Sequence, residues 1–597
     1  MFISTSIGAM FQESIHRYGN DPCVSYKDGG RYRSISYTEL GGLVRNLALY
    51  LIEAGINKGD KVALFSPNRY EWWLADLAIL SIGAVNVPIY ATDSADEAGY
   101  IMKNSDAVFL VAGTSKHLSK GLKGTSHVLG ALVFDEVADL PHGAITLSTA
   151  LAKGAGNPDP TDFDRRLAAV QASDLATIIY TSGTTGDPKG VMLSHSNLVA
   201  NAKQSYLAIK SVFGHQRQTL LSFLPLSHAF ERTVGYYMSV YTGSHVYFAR
   251  SPVADLKQVR PTLLVSVPRI YEMVHAGILK QIAGSKGGKK ILLGMAMHAA
   301  RMNLPYMCGN KLRKGWFALY YHLADRLVFR KIKASIGLDR IDLCISGGGP
   351  LAVGDAEFFL GIGVRVVEGF GLSECSPVTN VNLPHRIKPG TVGPAYAETI
   401  EKISPDGELL IKGPQVMQGY YQNAKATQDA FTTDGYLKTG DIAEFDEDGF
   451  LKIIGRSKDI IITAAGKNIS PQNIEGLFKD SPYINQICII GDRRKFLSAL
   501  IVPDFDNLKA WARKQGINHS LDQDLIHDEN VRALYHQEFD HYNEKVAQPL
   551  RIMRFTLLKS EWTQETNELT PTQKIKRLVI NEKYADIIER MYQEKER

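Results

Sequence analysis

Residues 180–195 read Tyr-Thr-Ser-Gly-Thr-Thr-Gly-Asp-Pro-Lys-Gly-Val-Met-Leu-Ser-His, a stretch equipped to hold an anion. Gly183 and Gly186 let backbone N–H groups turn inward, Thr181, Ser182, Thr184 and Thr185 bring hydroxyl donors, and Lys189 brings a mobile positive charge. An apolar, strand-like run (Leu175, Ala176, Ile178, Ile179) precedes the stretch and a polar, helix-like segment follows, which puts the loop at a strand end. A Walker phosphate loop counted from Gly183 needs glycine at 188 and serine or threonine at 190, where this chain has Pro188 and Gly190. The loop is therefore a phosphate cradle of another kind; its ordinary alternative is a polar surface linker.

Five further clusters carry chemistry. Residues 341–352 form a strand that ends in the glycine turn Gly347, Gly348, Gly349, and residues 364–374 repeat the arrangement with Phe370, Gly371, Ser373 and Glu374. Neither has the spaced third glycine of a dinucleotide fingerprint. Asp441 follows a turn at Asp434-Gly435, and Arg456 follows another at Asp448-Gly449. A carboxylate and a guanidinium suit the vicinal hydroxyls of a ribose, and suit a surface ion pair equally well. Residues 222–232, Ser-Phe-Leu-Pro-Leu-Ser-His-Ala-Phe-Glu-Arg, end a strand in a polar cluster around a lone histidine, His228. Residues 569–577, Leu-Thr-Pro-Thr-Gln-Lys-Ile-Lys-Arg, place Lys574 and Lys576 on a proline-containing turn. A lysine there can reach into a cleft and match charge on carboxylate and phosphate oxygens.

The elements that must hold these groups are legible in outline. Between residues 11 and 174, helix-period segments (40–54, 72–82, 95–104) alternate with apolar strand-like runs (61–65, 85–90, 107–111), the pattern of a parallel sheet wrapped by helices. The apolar tract 75–91 contains Asp76, Asn86 and Pro88 and falls short of the roughly 20 apolar residues of a spanning helix, so it reads as a buried helix running into a strand. Beyond residue 459, short strands (486–491, 497–502) mix with helices as in an α+β domain. The run 235–248, rich in tyrosine and valine, can wall an apolar ligand pocket or simply pack a core.

The chain has 597 residues, 45% hydrophobic and 22% charged, an ordinary globular composition with ample material for a core. A net charge of +5 argues against a nucleic-acid partner. Five scattered cysteines without a Cys-x-x-Cys spacing suit a reducing compartment and no cysteine metal site. The first twelve residues lack the basic lead and apolar core of an export signal, so a cytoplasmic protein is expected.

Residues 311–333 are locally basic, with Lys311, Arg313, Lys314, Arg326, Arg330, Lys331 and Lys333 against Asp325 alone. Trp316, Tyr320, Leu323 and Leu327 recur at helical spacing. Such a helix can rest on an anionic membrane, at the inner face if the protein is cytoplasmic. The commoner arrangement, and the expectation here, packs the stripe on the core and leaves the charges in water.

Together, and in their order along the chain, these motifs resemble the AMP-forming acyl-adenylating superfamily of acyl-CoA synthetases, peptide-synthetase adenylation domains and firefly luciferase. The Leu-Pro-Leu-Ser-His and Phe-Glu-Arg elements bring the resemblance closest to bacterial-type long-chain fatty acyl-CoA synthetases. Most of the superfamily has glycine before the C-terminal lysine, whereas this chain has Gln573; the Thr-Pro-Thr-x-Lys form is that of the long-chain branch. The resemblance implies an α/β fold with a large N-terminal body (1–456) of two α/β subdomains and a small β-barrel. A hinge (457–458) and a smaller, mobile α+β cap (459–597) would follow. It implies that Thr181, Ser182, Gly183, Thr184, Thr185 and Lys189 hold the phosphates of ATP, that Gly347, Gly348 and Gly349 line the adenine pocket, and that Phe370, Gly371 and Ser373 border the phosphates. Glu374 and Thr184 would hold Mg²⁺, Asp441 and Arg456 the ribose, His228 would stand beside the acyl carboxylate, Lys458 would be the pivot, Gly466 would border the coenzyme A channel, and Lys574 would drive adenylation. The implied reaction joins a long-chain fatty acid to coenzyme A through an acyl-AMP. Two rivals stay open: an acyl-AMP ligase that passes its product to a carrier protein, and a non-catalytic lipid-binding relative.

Overall fold

The computed structural model describes residues 4–123, 128–141, 143–181, 188–212, 217–462, 468–478, 481–517, 522–544, 546–570 and 574–593. Two eight-stranded sheets form its larger part. The first runs Gly419–Tyr420, Lys189–Ser194, Leu175–Thr181, Val85–Ile89, Lys61–Phe65, Ala107–Ala112, Gly130–Val133, Ala144–Thr146 in spatial order, and is parallel except at Lys189–Ser194, which is antiparallel to both its neighbours. The expected alternation is realised: helices Tyr37–Glu53, Tyr70–Ser81 and Ala95–Asn104 each precede one of the strands Lys61–Phe65, Val85–Ile89 and Ala107–Ala112. Local chemistry fixes their starts. Ser36 and Ser94 each close a capping box, with Glu39 and Glu97 three residues on.

The second sheet orders Val378–Val381, Val366–Gly371, Leu343–Ser346, Leu263–Ser266, Thr219–Ser222, His245–Phe248, Pro22–Asp28 and Arg31–Ser36, with antiparallel pairs only at its two edges. Strand ends of both sheets deliver the predicted motifs: Thr181 closes one strand, Gly347 follows another, and Phe370 and Gly371 finish a third. Ligand sites of open α/β sheets lie at such carboxyl ends. The small β portion of the body takes the form of a four-stranded antiparallel sheet, Ile400–Ile403, Glu408–Lys412, Leu437–Phe445, Leu451–Arg456.

One apolar cluster runs through both large sheets, and residues 234–248 belong to it through Val234, Tyr236, Tyr237, Met238, Val240, Tyr241, Val246 and Phe248. A buried polar bolt crosses it. Arg232 donates to Asp76 at 2.5 Å, to Thr177 at 2.7 Å and to the Tyr237 hydroxyl at 2.8 Å, while Tyr237 donates to the second oxygen of Asp76 at 2.8 Å. Helix Tyr70–Ser81, strand Leu175–Thr181 and the π-helical turn Glu231–Tyr237 are thereby pinned to one another. The C-terminal part has separate clusters of its own around a three-stranded sheet, Ile484–Ile490, Leu497–Pro503, Ile552–Leu557.

The basic stripe departs from expectation. Residues 315–336 are helical, in the segments Gly315–Ala324, Asp325–Phe329 and Arg330–Ile336, but Trp316, Leu323 and Leu327 face solvent. Phe317, Tyr321, Ala324, Val328 and Phe329 turn inward instead. The segment is apolar on two faces, and the core takes the one with the larger set of close-packing rings.

Candidate active site

The described ends of the phosphate-loop motif lie on two antiparallel strands. Thr181 ends one strand directly opposite Lys189, which begins the next. Ser182, Gly183, Thr184 and Thr185 lie outside the described residues, as does Gly466. The edge strand Gly419–Tyr420 pairs with the second of these strands, Tyr420 against Val191, and this brings in a residue that no motif had flagged. The Lys189 ammonium stands 5.1 Å from the centre of the Tyr420 ring, and the Tyr420 hydroxyl donates to Glu374 Oε1 at 2.9 Å. One side chain thus links the candidate phosphate lysine to the candidate cation ligand. Burial and the neighbouring Glu374 carboxylate raise the Tyr420 pKa, so the phenol stays protonated and remains a donor.

Glu374 is further held through its backbone, its carbonyl accepting from Met417 N at 2.8 Å. Among the described residues no group of three or more His, Cys, Asp or Glu side chains could enclose a metal ion by itself. A lone carboxylate beside a phosphate lysine does fit Mg²⁺ that takes its other ligands from nucleotide phosphates and water.

Asp441 and Arg456 are directly opposed on neighbouring strands of the four-stranded sheet. Arg456 Nε donates to Asp441 Oδ1 at 2.9 Å; the aspartate is buried while the arginine remains half exposed. Asp441 Oδ2 is buried and has no hydrogen-bond partner among the described residues. A buried acceptor left open beside a half-exposed guanidinium suits a ligand with hydroxyl donors. Burial pushes the Asp441 carboxyl up to about 6; Arg456 and Lys574 pull it back in part, and Glu374 and Asp459 push it further.

Lys574 comes from the C-terminal part and completes this face. Lys574 is exposed at the surface, and its pKa is lowered, first by partial loss of solvation. Arg456 adds to the depression and Asp441 opposes it, which sets the lysine among the candidate ribose residues. Its backbone is locked in a turn, with Lys574 N donating to Thr570 Oγ1 at 3.0 Å and Thr570 N donating back to Lys574 O at 2.8 Å. Arg577 anchors the segment through Glu475, at 2.5 and 2.6 Å, and through the carbonyl of Ile489 at 3.2 Å. The competing lysine is otherwise engaged: Lys576 Nζ donates to Asn567 at 2.7 Å.

His228 belongs to the same neighbourhood. Burial, with Lys574 adding to it, pushes its pKa down to about 4, so the ring is neutral near pH 7. His228 Nδ1 accepts from Phe230 N at 3.2 Å, which assigns the proton to Nε2 and makes that nitrogen a donor. Beneath it, Ser222 Oγ donates to Glu231 at 2.5 Å, and burial pushes the Glu231 carboxyl up to about 8. The adenine-turn glycines fit this packing. A Cβ on Gly347 would stand 2.7 Å from the Phe230 ring, and Gly348 has φ +80°. Gly371 is equally constrained, since a Cβ there would meet Pro377 O at 2.0 Å.

Lys458 is exposed in a turn just past Arg456, closed by Asp459 N and Ile460 N on the Arg456 carbonyl at 3.0 Å each. The helix Pro471–Phe478 then contacts the body, Asn473 Nδ2 donating to Ile454 O at 3.2 Å.

The family model described as AMP-binding enzyme matches residues 11–421, and that of the AMP-binding enzyme C-terminal domain matches residues 458–596. The long-chain-fatty-acid–CoA ligase FadD15 of Mycobacterium bovis is 36% identical over 569 residues, covering 94% of this chain and 93% of that protein. The long-chain-fatty-acid–CoA ligase ACSBG2 of Xenopus laevis is 31% identical over 625 residues, with 99% and 84% covered. Among solved structures, the adenylation domain of a carboxylate reductase from Mycobacterium chelonae superposes with a TM-score of 0.75 at 21% identity, covering 99% of this chain and 91% of that one; this likeness is one of fold. Motif order, fold and a match across most of the length agree: the chain belongs to the AMP-binding enzyme family.

Proposed function

We propose that the protein is an AMP-forming ligase that activates a long-chain fatty acid with ATP and then transfers the acyl group to coenzyme A. The observation that carries this reading is the Asp441–Arg456 pair, whose buried Oδ2 has no partner among the described residues, with Lys574 from the C-terminal part near enough to act electrostatically on that pair and on His228. Likeness to long-chain-fatty-acid–CoA ligases over nearly the full length supports the substrate class.

A thiol cannot displace oxide from a carboxylate at a useful rate, so the acid is activated first. A carboxylate oxygen attacks the α-phosphorus of ATP, pyrophosphate leaves, and an acyl-AMP anhydride results. Asp441 and Arg456 hold the ribose hydroxyls, with Asp441 Oδ2 accepting, and Gly347, Gly348 and Gly349 leave room for the adenine. Lys189, with Thr181, Ser182, Gly183, Thr184 and Thr185 of the loop and Phe370, Gly371 and Ser373 beside it, holds the phosphates. Mg²⁺ held by Glu374 and Thr184 would neutralise charge on the departing pyrophosphate. Lys574 bridges the acid and the α-phosphate, and the Nε2–H of His228 can orient the carboxylate. In the second step the sulfur of coenzyme A attacks the acyl carbonyl and AMP leaves. The cap (459–597) turns about Lys458 against the body (1–456), withdrawing Lys574 and bringing Gly466 to the thiol channel.

Fatty acid carrying ¹⁸O in its carboxylate, incubated with ATP, Mg²⁺ and coenzyme A, should yield AMP with one heavy oxygen together with acyl-CoA. Release of ADP, or AMP without label, refutes the reading. Labelled AMP without thioester points instead to a carrier-protein acceptor. Lys574→Ala should lower acyl-AMP formation by about 10²–10³-fold, as removal of a well-placed electrostatic donor does. The same variant should still form thioester from supplied acyl-AMP. Lys458→Pro should slow thioester formation more than adenylation.

A further inference from the structure

The outward-facing stripe of the basic helix is part of a larger surface. Helices Gly287–Cys308 and Gly315–Ala324 lie side by side, the Tyr320 hydroxyl donating to the Met295 carbonyl at 2.6 Å, and the Trp316 ring stacks on Tyr320 with centroids 6.1 Å apart. Across this junction Leu312 is 82% exposed, Leu319 73%, Trp316 69% and Ile291 68%, with Met295 and Leu323 also more than half exposed. Each helix meanwhile buries a different apolar face, through Leu293, Ala296 and Ala300 on one and Phe317, Tyr321 and Ala324 on the other. Single exposed leucines are unremarkable on a protein surface. A contiguous set that includes an exposed tryptophan marks an interaction surface.

Charge identifies the occupant. From residue 273 to residue 338 the chain has twelve Lys and Arg residues and one acid, Asp325, a net +11 in a protein whose total is +5, so the remainder is net negative. Asp325 is engaged by Arg330 at 2.8 Å and Lys333 at 3.1 Å. Lys286, Lys289, Lys290, Lys311, Lys314 and Arg326 are exposed around the apolar set. No helix among the described residues is long and apolar enough to cross a membrane. An apolar face with an aromatic anchor inside a cationic rim, on helices that cannot span, matches the interface of an anionic bilayer: rings and leucines enter the headgroup boundary while the lysines pair with lipid phosphates.

We propose that the face formed by residues 287–327 docks the protein on anionic lipid membranes. It holds the enzyme where long-chain acids partition, and it operates whether or not the acyl acceptor is coenzyme A. Full-length protein should co-sediment with vesicles of phosphatidylcholine containing one-third phosphatidylglycerol at least about tenfold more than with phosphatidylcholine alone. Raising the salt from 0.1 to 0.5 M should weaken the association. The double substitution Trp316→Ser, Leu319→Ser, and separately the triple substitution Lys311→Glu, Lys314→Glu, Arg326→Glu, should each cut vesicle binding about tenfold. Melting temperature, and turnover of detergent-dispersed substrate, should stay unchanged. Equal binding to neutral and anionic vesicles, or variants that bind like the parent, overturns the proposal. So does a parent that sediments as a dimer and becomes monomeric on Trp316→Ser, Leu319→Ser, since the face would then belong to a second copy of the chain.

Discussion

Two aspartate–arginine pairs with similar geometry serve the body of this protein differently. Asp76 and Arg232 are both fully buried at 2.5 Å, and Asp441 and Arg456 stand 2.9 Å apart with the arginine half exposed. In the first pair both carboxylate oxygens are engaged, and the guanidinium reaches Thr177 and Tyr237 as well. In the second, one carboxylate oxygen is buried with no partner among the described residues. The difference separates a bolt from a grip. A carboxylate whose two oxygens are both taken up by the protein holds parts of the fold together, whereas one with a buried oxygen left open has an acceptor to offer a ligand.

The largest effect should come from breaking the bolt. Arg232→Met leaves the Asp76 charge buried and uncompensated, and should cost about 3–5 kcal/mol of stability, read from the urea midpoint. Adding Asp76→Leu should restore much of that loss, because an apolar pair of similar volume avoids the desolvation of both ions. If the single variant unfolds at the parent midpoint, the network does not bind the two sheets as described. Asp441→Ala should behave in the opposite way. It should leave the midpoint within error and raise the KM for ATP about 10- to 100-fold, the range for losing hydrogen bonds to a charged group. A variant that loses stability while keeping its KM would place Asp441 in the scaffold.

The pH dependence of nucleotide binding gives a third test. Burial raises the Asp441 carboxyl to about 6. In the proposed role the ionised form accepts from the ribose through Oδ2, so affinity should be full above that value and fall as the group takes up a proton. The KM for ATP should rise about tenfold by pH 5, one unit below the titration point. Asp441→Asn should bind more weakly throughout and lose this dependence. A parent profile that is flat from pH 8 to pH 5 would assign the ribose contact elsewhere.

Much of this was legible in the sequence, for physical reasons that also set the limit. Alternation of helix and strand periods announced the first sheet, and Asp441 and Arg456 were marked by turn residues that fix strand ends. Spacing alone left Lys574 and Lys576 equivalent; the structure separates them because Lys576 is engaged by Asn567. Periodicity showed that residues 316–327 have an apolar stripe, but not that a second apolar face, through Phe317, Tyr321 and Ala324, would take the core. Tyr420 was invisible for a different reason. Gly-Tyr-Tyr resembles any turn, and its meaning comes from antiparallel pairing with the strand Lys189–Ser194, more than two hundred residues earlier.

Tyr420 also gives the finest form of the comparison, because each network contains a tyrosine that donates to a carboxylate. Tyr237 reaches Asp76 at 2.8 Å inside the bolt, and Tyr420 reaches Glu374 at 2.9 Å beside Lys189. Removing the Tyr420 hydroxyl deletes one hydrogen bond and removing the Tyr237 hydroxyl deletes two, since it also accepts from Arg232; each is worth roughly 0.5–1.5 kcal/mol, but the losses should appear in different measurements. Tyr237→Phe should lower the urea midpoint and leave the kinetics alone. Tyr420→Phe should leave the midpoint alone and shift the Mg²⁺ concentration for half-maximal adenylation by about two- to tenfold, since a carboxylate released from its donor no longer holds one orientation toward the cation. If Tyr420→Phe instead tracks Tyr237→Phe and only weakens the fold, the link between Lys189 and Glu374 is packing, and orientation of the cation ligand must come from the backbone contact of Glu374 with Met417.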